Sequence, residues 1–118
     1  MKIGSIVIRC KKFYEMLAFW QEALHYVPKA PAKGGWVILC DPNGRGPNVS
    51  LDKDPEEKRI GSNWRPRLHL DLYAHDRKAE VNRLLKIGAK LHRQRYDPDD
   101  DFRVLEDPDG NLFCVVQI

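Results

Sequence analysis

The chain has 118 residues, of which 42% are hydrophobic and 31% charged, with a formal net charge of +3 at pH 7. This length suffices for one hydrophobic core but not for two independent ones, and the composition is ordinary for a globular protein. No apolar run approaches the roughly 20 residues of a membrane-spanning helix. The N-terminus enters a strand-like run instead of a signal sequence. We therefore expect no membrane partner.

The cysteines occur at positions 10, 40 and 114, an odd number without regular spacing. This pattern argues against a disulfide framework and for a reducing compartment, so we expect a cytoplasmic location. Nucleic acid is also disfavoured, because the arginines at 93 and 95 are followed by aspartates at 97, 99, 100 and 101. These carboxylates would cancel much of the local positive field that phosphate binding requires.

The first predicted elements are a strand over residues 3–10, rich in β-branched side chains, and a helix over residues 13–24. The helix is indicated by apolar residues at 13, 17, 20 and 24, the spacing of one buried stripe. Trp36 follows two glycines and opens another strand, where core packing is the default expectation.

A tight-turn sequence occurs twice, as Asp-Pro-Asn-Gly at 41–44 and Asp-Pro-Asp-Gly at 107–110. Pro presets the backbone for the second turn position, Gly accepts a positive φ, and Asp can bond the backbone of its own turn. Two copies 66 residues apart, each between apolar runs, indicate an internal duplication.

The second half repeats the other elements as well. Residues 67–73 alternate like a strand, Asp76 is suited to cap a helix over residues 79–87, and Gly88 stands where that helix should end. Each half therefore reads strand, helix and three strands. We predict an α+β protein of two βαβββ modules, residues 1–52 and 66–118, joined by a linker over residues 53–65.

These residues resemble the glyoxalase-like domain of the vicinal oxygen chelate superfamily, which includes glyoxalase I, bleomycin-resistance proteins and extradiol dioxygenases. The resemblance is carried by Arg-Leu-His-Leu-Asp-Leu at 67–72, Ile-Gly-Ala at 87–89 and the run from Val104 to Cys114. Phe-Trp-Gln-Glu-Ala-Leu at 19–24 resembles the Phe-Tyr-x-x-x-Leu helix of the superfamily, and residues 49–58 resemble its inter-module linker. The resemblance covers nearly the whole chain, which we therefore treat as one domain, residues 1–118.

The resemblance implies that the sheets of the two modules curl into a cup that holds the ligand. In metal-dependent members, the first and last strands of each module contribute one metal ligand each. The corresponding positions in this sequence are Ser5, Asp52, His69 and Cys114. Where those enzymes have Glu in the last strand, this chain has Cys114.

Strand alternation adds two residues to this candidate site. His69, Asp71 and Tyr73 share one face of their predicted strand, about 7 Å apart in sequence order, and residues 68, 70 and 72 (all Leu) share the other face. Two interpretations stay open for the polar face. Its side chains either line a ligand site or are half-exposed groups, with His69 bonded to a neighbouring carboxylate.

Whether these residues can bind a metal ion depends on the chemistry of their donor atoms. His69, Asp52 and Cys114 are the ligands if a metal is present, and such donors suit an ion like Zn²⁺. Ser5 is a poor ligand, and a thiolate in place of a carboxylate disfavours Mg²⁺, Mn²⁺ or Fe²⁺ chemistry. Cys114 also lies in an apolar strand, where cysteine is usually a buried small side chain. We therefore predict no metal and no cofactor.

The sequence favours a protein that binds a small organic molecule in the cup without a catalytic metal. The alternative is a metal-dependent lyase or dioxygenase of the same superfamily, and catalytic residues are not assigned. A ligand-sensing pair of ferredoxin-like units is disfavoured, because each half has three strands after its helix. We expect a homodimer, because Trp64 lies beside arginines in a polar segment and such residues are enriched at interfaces.

Overall fold

The structure is a computed structural model that describes residues 2–54 and 68–118. These residues form two compact units, called modules one and two below. Module one contains β1 (Ser5–Cys10), α1 (Phe13–Leu24), β2 (Val27–Pro28), β3 (Trp36–Cys40) and β4 (Asn48–Lys53). Module two contains β5 (Leu70–Ala74), α2 (Arg77–Lys86), β6 (Lys90–Leu91), β7 (Phe102–Glu106) and β8 (Leu112–Gln117). The prediction of two βαβββ modules is confirmed.

Each module has a four-stranded mixed sheet with the same topology, β1-β4-β3-β2 in module one and β5-β8-β7-β6 in module two. The first and last strands of each module pair in parallel, and the remaining neighbours are antiparallel. Because of this pairing, a residue on the first strand lies beside one on the last strand. Ser5 pairs with Asn48, and Asp71 pairs with Cys114.

Helix α1 covers the sheet of module one with a wider apolar face than the predicted stripe. Its buried residues are Phe13, Met16, Phe19, Trp20 and Ala23, whereas Leu17 and Leu24 are half-buried. At 100° per residue, Met16 and Ala23 lie nearer the centre of the buried arc than Leu17 and Leu24 do. The helix ends at His25, which takes the left-handed conformation with φ 55° and donates its backbone N–H to Gln21 O.

Helix α2 confirms the predicted N-cap but packs through fewer side chains. The Asp76 carboxylate accepts the backbone N–H of Ala79 at 3.0 Å, and Gly88 has a positive φ of 121° beyond the helix end. The helix starts at Arg77, two residues before the prediction. Leu84 is its buried residue, and Leu85 is 38% exposed.

Both predicted turns are present and share two hydrogen bonds. The turn closes through Gly44 N–H to Asp41 O at 2.9 Å and through Gly110 N–H to Asp107 O at 2.8 Å. Each Asp carboxylate also accepts the N–H of the residue two positions later, at 2.8 Å in module one and 3.0 Å in module two. Gly44 and Gly110 have φ of 67° and 84°, the left-handed values for which glycine is favoured.

Three predictions about local structure are wrong. The strand predicted over residues 67–73 begins at Leu70, so Leu68 precedes it and is 88% exposed instead of facing the helix. The strand predicted from residue 3 begins at Ser5, where pairing with β4 starts. Trp36 is 40% exposed instead of being a core residue, because it lies on the sheet face opposite the buried Val37 and Leu39.

The predicted linker falls mostly on residues 55–67, which lie outside the described residues. At its start, Lys53 is the last residue of β4. Neither of the two described helices has the length and apolar character needed to cross a membrane.

Candidate functional site

The first and last strands of module two bring together three of the predicted site residues. Nitrogen, oxygen and sulfur atoms of His69, Asp71 and Cys114 all lie within 4.8 Å of one another. Asp71 and Cys114 are paired neighbours on β5 and β8, and His69 reaches the same face from the residues just before β5. This group is called the His69–Asp71–Cys114 cluster below. Sequence alternation predicted that His69 and Asp71 share one face, and in the structure His69 Nε2 and Asp71 Oδ1 lie 3.1 Å apart.

Asp71 is the common partner within the cluster. His69 Nε2 lies 3.1 Å from Asp71 Oδ1, and both side chains are about half exposed. The Cys114 thiol hydrogen-bonds to the same carboxylate. Burial, the charge of Asp71 and this hydrogen bond together raise the pKa of Cys114 to about 11. The cysteine is therefore a neutral thiol at neutral pH and not a nucleophilic thiolate.

Tyr73 extends the same face of β5 beyond the cluster. It lies two residues after Asp71, pairs with Val116, and is 70% exposed. On the other side of β8, Val116 pairs with Phe102 of β7. The sheet face opposite helix α2 thus carries the polar cluster next to the apolar side chains of Tyr73, Val116 and Phe102. Phe113 and Val115, which alternate with these positions along β8, are buried on the face that helix α2 covers.

In module one, the predicted site residues Ser5 and Asp52 have partners that the sequence did not reveal. Ser5 Oγ lies 2.6 Å from Oγ of the fully buried Ser50. Asp52 Oδ2 lies 4.0 Å from Arg9 Nε across the parallel pair of β1 and β4. Strand alternation could have placed these residues on one face, but only the structure shows that Ser5 contacts Ser50 and that Asp52 lies beside Arg9. That Ser5 and Asp52 share a pocket with the His69–Asp71–Cys114 cluster stays a prediction.

The donor atoms of the cluster are of the kinds that zinc accepts, namely imidazole nitrogen, carboxylate oxygen and cysteine sulfur. Asp71 takes the position beside His69 and Cys114 for which the sequence proposed Asp52. The prediction that Asp52 joins them on a metal is untested. In the described structure, the Asp52 carboxylate has Arg9 as a neighbouring cation, and the Ser5 hydroxyl is bonded to Ser50. Both features make module one a weak source of metal ligands.

Comparison with solved structures shows the same fold in several bacterial proteins. A glyoxalase/bleomycin resistance protein/dioxygenase family enzyme from Burkholderia phytofirmans PsJN is 16% identical and aligns with a TM-score of 0.75 over 100% of this chain and 99% of its own. A possible glyoxalase from Bacillus cereus is 14% identical, with a TM-score of 0.69 over 98% of both chains. TnmS3, an antibiotic binding protein from Streptomyces sp. CB03234, is 19% identical, with a TM-score of 0.62 over 99% of this chain and 95% of its own.

No curated protein matches the sequence significantly. The profile of the glyoxalase-like domain, however, matches residues 5–116, which span all eight strands and both helices almost completely. The repeated βαβββ module and the paired first and last strands agree with this match. The chain therefore belongs to the glyoxalase-like domain family.

Proposed function

We propose that the protein binds a small organic molecule, aromatic or polycyclic, on the open face of module two and does so without a catalytic metal. The observation that carries this proposal is the His69–Asp71–Cys114 cluster beside the exposed Tyr73. Ligand sites typically combine an apolar surface with a few polar groups that fix orientation. TnmS3, which has the same fold, is an antibiotic binding protein, and this supports a binding function.

The metal-free proposal depends on the donor set, because a cysteine in place of a carboxylate disfavours Mg²⁺, Mn²⁺ or Fe²⁺. The Asp71 carboxylate lies 3.1 Å from His69 Nε2 and accepts a hydrogen bond from the Cys114 thiol. A ligand hydroxyl or amide can bond the exposed side of this group without displacing its internal bonds, because each carboxylate oxygen has two lone pairs. The exposed ring of Tyr73 would supply a stacking surface for an aromatic ligand.

Titration calorimetry with a panel of polycyclic aromatic compounds, in the presence of EDTA, tests the proposal. His69→Ala should weaken binding at least about tenfold, since hydrogen bonds to charged groups contribute about 1.5–3 kcal/mol. The folded state should persist, because His69 is half exposed. His75→Ala is the matched control, since His75 is exposed beyond the other end of β5. Equal affinities of the two variants and the wild type would contradict the proposed site.

The second candidate function is a metal-dependent lyase or dioxygenase, and the nearness of three possible metal donors favours it. When bound, a zinc ion would supply Lewis-acid chemistry at the cluster. Elemental analysis of the purified protein separates the two candidates. One equivalent of metal that is lost in both His69→Ala and Cys114→Ser would overturn the metal-free proposal and support the enzyme.

The cytoplasmic location and the homodimer stay predictions. Trp64, on which the dimer prediction depends, lies outside the described residues. Light scattering at micromolar concentration would measure the mass directly, and a monomer would contradict a dimer.

A further inference from the structure

A cavity of about 400 Å³ lies in module one, against the start of β3, and its lining residues include none of those proposed above. Its walls include Ala30, Pro31, Trp36 and Ile38, and its edge includes Lys29 and Lys33. Small-molecule pockets are commonly about 300–1,000 Å³, so the volume suits a small ligand. No described residue of module two lines the cavity.

The loop beside the cavity is fixed by backbone hydrogen bonds. Lys33 and Trp36 exchange backbone hydrogen bonds of 3.0 and 3.1 Å across Gly34 and Gly35. Both glycines have positive φ, 62° and 73°, as a two-residue hairpin turn of this kind requires. On the other side of the loop, Lys29 N–H donates to Ile38 O at 2.8 Å.

The same turn is also fixed against the end of β4. Lys53 N–H donates to Gly35 O at 2.8 Å. A Cβ added at Gly35 would lie 2.8 Å from Lys53 Cβ, so the two backbones approach too closely for a side chain. A loop bonded at both ends loses little conformational entropy when a ligand enters, which favours binding.

The apolar wall of the cavity is partly exposed to solvent. Trp36 is 40% exposed, an unusual position for the largest side chain type, and Ile38 lies two residues further on the same face of β3. Pro31 adds a rigid apolar ring from the loop. Indole and proline rings stack well on planar aromatic groups, so this wall favours an aromatic ligand.

The charged residues that line the cavity are both lysines, and Asp52, the cross-strand partner of Trp36, lies 4.0 Å from Arg9. Lys29 and Lys33 are exposed, and the described residues that line the cavity include no carboxylate. Among the described residues, no ion pair involves either lysine. Two cations beside a low-dielectric wall attract an anion, and their ammonium groups can donate to its oxygens.

We propose that this cavity is a binding site for a planar aromatic anion, such as an aromatic carboxylate. The ring would lie on Trp36 and Pro31, and the carboxylate would accept hydrogen bonds from Lys29 and Lys33. The site requires no residue of the His69–Asp71–Cys114 cluster.

Titration of the full chain with 2-naphthoate, and with neutral 2-naphthamide as the matched ligand, tests the proposal. Lys29→Gln combined with Lys33→Gln should weaken naphthoate binding about tenfold and leave naphthamide binding unchanged, because only the charged contacts are lost. Trp36→Leu should weaken binding of both ligands, because it removes the stacking surface. Raising the salt concentration should weaken naphthoate binding alone.

Lys53→Gln is the matched control for charge, since Lys53 lies beside the same turn but does not line the cavity. It should bind naphthoate like the wild type. Binding should also survive His69→Ala. The proposal is overturned if naphthoate does not bind saturably, if the double lysine variant binds it like the wild type, or if Lys53→Gln weakens it equally. Loss of naphthoate binding in His69→Ala would overturn the independence of the site.

Discussion

The two modules share their element order and sheet topology but differ in how their helices are anchored. Helix α1 buries five side chains, three of them aromatic, whereas α2 buries Leu84 alone among its described residues. Duplication of an architecture therefore does not require duplication of its core. A sheet of the same topology can be covered by an apolar helix or by a mainly polar one, provided that the helix buries at least one apolar side chain against the sheet.

The repeated turns show the same contrast. Asp107 is 2% exposed, whereas Asp41 is half-buried. The carboxylate of Asp107 accepts the backbone N–H groups of Asp109 and Asn111 and also the Asn111 side-chain amide. The carboxylate of Asp41 accepts the N–H groups of Asn43 and Arg45. Bonds of this kind, led by the one from Asn43, lower the pKa of Asp41.

The strongest test of this comparison removes one anchor from each helix. Phe19→Ala should cost about 3–5 kcal/mol of unfolding free energy, because the ring is 2% exposed and packs edge-to-face on Trp20 at 5.2 Å. Leu84→Ala should cost less, about 2–3 kcal/mol, because truncation of a leucine removes less apolar volume than truncation of a phenylalanine. Urea unfolding measures both, with Leu85→Ala as a control expected below about 1 kcal/mol. A larger loss for Leu84→Ala would reverse the proposed asymmetry.

The second test compares the two turns. Asp107→Ala should cost about 2–3 kcal/mol, because it leaves buried N–H groups without an acceptor. Asp41→Ala should cost less, because water can replace the lost acceptor at a more exposed turn. Asp107→Asn keeps one acceptor oxygen and should fall between Asp107→Ala and the wild type. Thermal unfolding of the three variants supplies the comparison, and equal losses at both turns would show that burial does not matter.

The third test concerns the pKa of Cys114 and has the smallest effect on stability. Alkylation by iodoacetamide as a function of pH, followed on the Cys114 peptide by mass spectrometry, should titrate near pH 11. Asp71→Asn should lower this pKa by removing a nearby charge and a charged acceptor. The pKa should remain above 9, because burial is the largest cause of the shift.

Asp99→Asn is the control for this measurement, since its carboxylate is exposed. The folded thiol has a higher pKa than the ordinary value of 9.0. Any stability that it contributes is therefore present below pH 9 and is lost as the pH rises toward 11. An unchanged pKa in Asp71→Asn would contradict the contact between the carboxylate and the thiol.

The sequence predicted most of the fold because its signals are local. The two Asp-Pro-x-Gly turns and the Asp76 N-cap depend on neighbouring residues alone, so they could be recognised without a structure. Strand limits were less predictable, because a strand begins where a partner strand is available. The prediction for Leu68 was wrong for this reason. Polar and apolar residues alternate from residue 67 onward, but β5 begins only at Leu70, where its pairing with β8 begins.

For the candidate site, too, the sequence could predict only relations between residues that are close together along the chain. Alternation predicted that His69, Asp71 and Tyr73 share one face, because this relation follows from spacing along the chain. The exposure of Trp36 and the cavity beside it were missed, because a strand that begins after a glycine turn gives no sign of which face its first residue takes.

By itself, the sequence determined the repeat, the order of the elements and the turn chemistry, because these follow from backbone preferences and from periodicity along the chain. The tertiary structure decided which residues meet. The parallel pairing of β5 with β8 brings Cys114 to Asp71, and that of β1 with β4 brings Arg9 to Asp52. These contacts join residues more than 40 positions apart, and their register depends on how each sheet packs on its helix, which no local pattern encodes.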